Sequence, residues 1–184
     1  MMRAVLAGML LAGAASAQER PLTVPTRDVD VTYRMGEGAL MEQRTRWQAS
    51  GQRMRIDAPT PGVYMIVDYA SRRMSMVSDA DRGVLELDAK AGPLPGQAPG
   101  GAGGGFTRGG SAQVAGLACT EWQTLDSQGA GTTACITDDG VLLRARQGGQ
   151  VLAEAARVTY GPLDPSAFRV PDGYARATRA EPPR

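Results

Sequence analysis

Few residues in this chain are able to do chemistry. Histidine and asparagine are both absent. No Ser–His or Cys–His nucleophile pair can therefore be built, and no imidazole metal site. Lys90 is the sole lysine beside 19 arginines, and it borders a glycine-rich stretch rather than a serine-bearing elbow. No Gly-x-Ser-x-Gly motif occurs. Paired carboxylates stand at Asp28/Asp30, Asp79/Asp81 and Asp138/Asp139. The last two pairs read as turns and the first as the polar face of a strand. Asp79-x-Asp81-x-Gly83 lacks the third ligand and closing Glu of a calcium loop. The chain reads as a protein without catalysis and without a cofactor.

Sulfur is the remaining chemistry. Cys119 and Cys135 each sit in a strand-like stretch, 117–125 and 132–137, with Gln128-Gly-Ala-Gly131 between them. That spacing suits a cross-strand disulfide in one hairpin, and a redox pair would want Cys-x-x-Cys. Beyond the first 17 residues the methionines are Met35, Met41, Met54, Met65, Met74 and Met76, all between residues 35 and 76. Methionine sulfur can hold Cu(I). Each of these methionines alternates with polar neighbours, however, as an apolar lining residue does. Unbranched, polarizable side chains also suit a surface that adapts to variable apolar ligands.

The elements that position these residues read as strands. In 28–35, Val29, Val31, Tyr33 and Met35 share one phase against Asp28, Asp30, Thr32 and Arg34. Residues 39–49 put Met41 and Trp47 opposite Glu42, Arg44 and Arg46. Residues 52–58 put Met54 and Ile56 opposite Arg53, Arg55 and Asp57. The alternating arginines thus belong to wet strand faces rather than to a basic patch. Residues 63–69 are more continuously apolar, the mark of a strand buried on both faces or central in the sheet. Further strands follow at 73–78 and 84–88, giving six in about sixty residues and no room for helices.

Residues 89–112 change character. Nine glycines and three prolines fall within 91–111, a density that disfavours ordering and predicts a flexible insert. Strands resume at 114–125, 132–137, 141–147 and 150–160, and Asp138-Asp-Gly140 forms a hairpin turn. Asp164-Pro165 predicts one helical turn by N-cap and N1 proline. The expected architecture is all-β: a curved antiparallel sheet or incomplete barrel of about ten strands over residues 28–176. An N-terminal extension at 18–27 precedes it, and a frayed tail at 177–184 follows.

Compartment and charge narrow the class. Met1-Met2-Arg3, an uncharged run to Ala14 and Ala15-Ser-Ala17 match a secretory signal peptide cut after Ala17. The run is short against the ~20 apolar residues of a membrane span. Removing residues 1–17 takes away Arg3 and leaves equal numbers of bases and acids. A neutral surface gives no long-range attraction to nucleic acid.

Several stretches resemble the exported carriers of the LolA/LolB superfamily, in particular an uncharacterised subgroup known as a domain of unknown function. Val63-Tyr-Met-Ile-Val-Asp68 with Arg73-Met-Ser-Met-Val77 is similar to their central strands, and Ala115-Gly-Leu-Ala-Cys-Thr-Glu-Trp122 to their cysteine strand. Thr137-Asp-Asp-Gly-Val141, Pro162-Leu-Asp-Pro-Ser-Ala-Phe168 and Val170-Pro-Asp-Gly-Tyr174 resemble their later hairpin and ending. The resemblance implies an unclosed barrel whose apolar concave face receives acyl chains. This chain departs from that pattern in lacking an N-terminal helix and in its glycine-rich insert. Two functions follow. The first is a periplasmic module binding a lipid, a lipidated protein or another apolar ligand, lined by Val31, Tyr33, Met41, Trp47, Met54, Ile56, Met65 and Met76. The second is a structural or protein-interaction domain of the envelope whose concave face is filled.

Overall fold

Strict alternation between short turns lays the first six strands side by side. They are β1 (Val29–Met35), β2 (Met41–Gln48), β3 (Arg53–Asp57), β4 (Val63–Asp68), β5 (Arg73–Ser78) and β6 (Gly83–Asp88). Six more follow: β7 (Thr107–Val114), β8 (Leu117–Leu125), β9 (Gly131–Ile136), β10 (Leu142–Gln147), β11 (Gln150–Tyr160) and β12 (Ala175–Thr178). The structure, a computed structural model, describes residues 19–36, 41–88, 105–126 and 129–178. The expected signal peptide, most of the glycine-rich insert and the last tail residues lie outside these.

All twelve strands form one curved, unclosed sheet in the order β12-β6-β5-β4-β3-β2-β1-β11-β10-β9-β8-β7. Every pairing is antiparallel except the parallel β12–β6 edge. The curvature gathers Val29, Trp47, Met54 and Val67 from one half with Val114, Cys119, Cys135 and Leu143 from the other into a single core. Bulges between Thr32/Tyr33, Ala145/Arg146 and Arg108/Ser111 add local bend. Cys119 and Cys135 are joined by a disulfide across β8–β9, with Cα atoms 5.4 Å apart.

The sheet has two strands more than the sequence pattern predicts. β7 begins at Thr107, inside the stretch read as a flexible insert, and turns through Ala115 (φ 51°) and Gly116 (φ 79°) into β8. A two-residue turn of this kind wants positive φ at both positions and is normally signalled by Asn-Gly. Alanine at the first position conceals it, so 114–125 reads as one strand. β12 extends through Ala177 and Thr178, beyond the expected domain end at 176.

The convex face carries the charges. Arg44 pairs with Asp30, Arg46 and Arg55 with Asp57, Arg53 with Asp68, and Arg176 with Glu86. Over β3–β6 the chain's end covers this face. Tyr64, Ile66, Val77 and Val84 pack there against Val170 and Tyr174. This explains why β4 is apolar on both sides. The 3-10 turn Pro165–Phe168 is capped by Asp164, whose side chain accepts from the Ser166 N–H at 2.8 Å. Arg55 ties the turn to the sheet. It donates to the Ala167 carbonyl at 3.1 Å and lies 3.5 Å from the Tyr64 ring centroid.

Candidate functional site

Register assigns the concave face without ambiguity, because directly opposed residues on neighbouring strands point to the same side. One row runs Val31–Thr45–Ile56–Met65–Met76–Leu85 across β1 to β6. A parallel row runs Val29–Trp47–Met54–Val67–Met74–Leu87. Five strand spacings of ~4.8 Å make each row about 24 Å long. Neither row contains a charged residue. Burial grades along them: Val31 is 3% exposed and Met76 is 41% exposed. The face is a trough, closed at β1 and open at β5.

At the closed end lies a cavity of about 190 Å³. Val29, Val31, Tyr33, Trp47, Met54 and Ile56 form its floor, and Gln43 and Thr45 are polar but uncharged members of its wall. Trp47 is packed edge-on against Tyr69, ring centroids 5.0 Å apart, and its Nε1 is buried without a hydrogen-bond partner. Tyr33 donates its hydroxyl to the Leu142 carbonyl at 2.7 Å. Burial pushes the phenols of both Tyr33 and Tyr69 well above their usual range, so both stay neutral at any physiological pH. The site offers apolar surface and hydrogen-bonding groups, and no ion.

All eight residues expected to line the site share the concave face. Val31, Tyr33, Trp47, Met54 and Ile56 meet at the cavity. Met41, Met65 and Met76 do not line it: Met65 packs against the core, Met76 is exposed further along the trough, and Met41 is exposed at the end of β2, opposite Met35. Alternation gives the face of a residue but not its depth along the sheet's curve.

Sequence reasoning missed the other wall. It comes from Gly140, Val141 and Leu142 of the β9–β10 turn, from Ala153, and from Thr23 and Pro25 of the segment before β1. That segment is fastened to the turn. The Thr26 N–H donates to the Asp139 carbonyl at 2.9 Å. The Arg27 guanidinium pairs with the Asp139 carboxylate at 2.7 Å and sits 3.7 Å from the Tyr160 ring centroid. Thr137 and Tyr160 hydroxyls also donate to that carboxylate, at 2.5 and 3.2 Å. Burial alone would raise the Asp139 pKa; the hydrogen bonds from Thr137, Arg27 and Tyr160 outweigh it and hold the carboxyl below its usual range. Gly140 (φ 93°) is required here, since a Cβ would stand 2.3 Å from the Val24 carbonyl oxygen. The signal available in the sequence was Val24, an apolar residue between Pro21 and Pro25.

No family model and no curated protein sequence matches the chain. Solved structures do share its fold. An uncharacterised conserved protein from Thermus thermophilus aligns with TM-score 0.58 at 12% identity, over 84% of this chain and 91% of that one. PNGF-II aligns with TM-score 0.55 at 11% identity over 83% of this chain, which spans only 32% of PNGF-II. A looser likeness, TM-score 0.49 at 14% identity, is to MucB, over 82% of this chain and 59% of that one. At these identities the likeness to the first two is one of fold. Among the described residues, no helix is long and apolar enough to cross a membrane.

Proposed function

We propose that this chain is an exported, periplasmic binding module of LolA/LolB-like architecture that takes a lipid or a lipidated partner along its concave face. It carries out no catalysis. The observation that supports this reading most directly is the uncharged trough, which begins in an unfilled cavity and runs past exposed Met76 to β6. A purely structural sheet would pack that face to interior density. The cavity alone is below the ~300–1,000 Å³ of ordinary ligand pockets, so it holds one end of a ligand and the open trough the rest. Its length of about 24 Å exceeds the ~15 Å of one bilayer leaflet's hydrocarbon, enough for a single acyl chain lying across the strands. Met65, Met74 and Met76 give that stretch an adaptable surface.

The alternative, a filled structural or protein-interaction domain, draws on the tight packing of Trp47, Met54 and Val67, all at most 3% exposed. One experiment separates the two. Protein purified from the periplasm of its native host is extracted and its lipids are identified by mass spectrometry. Trp47 fluorescence is then titrated with fatty acid and lysophospholipid. The binding reading expects co-purified lipid and a saturable change. Neither lipid nor any change would leave the filled domain as the function.

A further inference from the structure

We infer that residues 19–27 are a displaceable strap over the binding face, latched by Asp139, and that a ligand enters by lifting it. The inference rests on the reading of the concave face as a binding site and concerns how that site is reached. Residues 19–27 belong to no strand. They form part of the walls of two hollows at once. Thr23 and Pro25 line the 190 Å³ cavity, while Glu19, Arg20, Pro21 and Leu22 line a second hollow of about 280 Å³ with Arg108, Thr120, Trp122, Ile136, Thr137 and Asp138. Only its middle is closely packed, where Val24 meets the core and Gly140; on either side the segment borders an open hollow. Leu22 is 47% exposed, and the contact of Glu19 with Arg108 is between two exposed side chains.

Beside the apolar contact of Val24, most of the polar ties of the strap converge on one residue. Asp139 receives Arg27, Thr137 and Tyr160 on its carboxylate and the Thr26 amide on its carbonyl. The turn that carries Asp139 also supplies Gly140, Val141 and Leu142 to the cavity wall. Releasing this latch therefore removes Thr23 and Pro25 from the wall and leaves the turn and sheet in place. With the strap seated, the cavity is smaller than ordinary ligand pockets. Lifting the strap widens that end, so that the tip of an acyl chain enters the cavity while the rest lies along the open trough. Segments of low packing density open locally at far less cost than the whole fold.

The test uses the mature chain and Arg27→Ala, a change at a side chain 59% exposed. Two quantities are read: hydrogen exchange at the Thr26 amide, and the association rate of cis-parinaric acid followed by its fluorescence. In the wild type, Thr26 should exchange faster than Val31 and Val67. In Arg27→Ala it should exchange about tenfold faster again, the size expected for losing a partly exposed ion pair and a cation–π contact, with Val31 and Val67 unchanged. The association rate should rise by a similar factor. Exchange at Thr26 that follows global unfolding, or an association rate equal in both proteins, overturns the strap. If cis-parinaric acid binds neither protein while Thr26 still opens locally, the binding reading itself falls, and the strap's role in access with it.

Discussion

The meander β1–β6 and the block β8–β11 are built from the same antiparallel hairpins, yet they hold their inner residues differently. The block is cross-linked by Cys119–Cys135, and its inner residues are small or rigid. It gives Cys119, Cys135, Val141, Leu143 and Ala155 to the shared core, while on the other face of β8–β9 Ala134 and Ile136 form a separate cluster with Trp122 and Phe106, whose rings meet edge-on at 6.2 Å. The meander has no cross-link and carries Met35, Met41, Met54, Met65, Met74 and Met76. Along its outer row Met76 is reached by water. The contrast is between a cross-linked block and a methionine-lined face without a cross-link, and the cavity lies where the two meet.

The largest expected effect lies within the meander itself. Trp47→Ala should cost about 3–5 kcal/mol in denaturant unfolding, because a buried aromatic leaves a cavity. Met76→Ala should stay within about 0.5 kcal/mol, as an exposed substitution does, and weaken fatty-acid binding instead. Equal costs at the two sites would break the picture of a trough graded from closed to open.

The cross-linked block is tested next. Closing a 16-residue separation is worth about 3 kcal/mol by the chain-entropy relation. A Cys119→Ala, Cys135→Ala double variant should lose that much and keep its sheet by circular dichroism. Intact mass before and after reduction should show the disulfide formed. If the variant instead lost ligand binding with unchanged stability, the disulfide would not be what holds the block.

The smallest effect concerns the junction. Because the folded Asp139 carboxyl lies below its usual range, it contributes stability that is fully present above the unfolded value of about 3.9. That contribution is lost as pH falls through the depressed folded value. Asp139→Asn should cost about 1–2 kcal/mol at neutral pH and reduce the acid-side slope of stability. Asp68, whose desolvation is outweighed by bonds from Ser71 and Arg53, keeps part of that slope in the variant. An unchanged acid slope in Asp139→Asn would mean that the latch is not electrostatic.

Alternation made the meander legible almost residue by residue, since each strand has one wet and one dry face. It also placed all eight expected lining residues on one side. It could not give their depth, because curvature is set by bulges and by packing between distant strands. Met41 and Met76 therefore share a phase with Trp47 and not its burial. β7 escaped notice because its bulged Gly109-Gly110 and its Ala115 turn carry no strand or turn signal. The strap escaped because its holding groups, Arg27, Asp139 and Tyr160, are up to 133 residues apart in the chain and no local pattern links them.

An unclosed sheet has two free edges, and such edges can recruit strands from neighbouring molecules. Here one edge is β7, interrupted by a bulge between Arg108 and Ser111 and carrying two adjacent glycines. The other is β12, four residues long, with Arg176 at its centre paired to Glu86. Short length, a bulge and a charged side chain are the features by which natural sheets avoid joining edge to edge. The consequence is colloidal: a sheet left unclosed carries at both rims the features that oppose polymerisation.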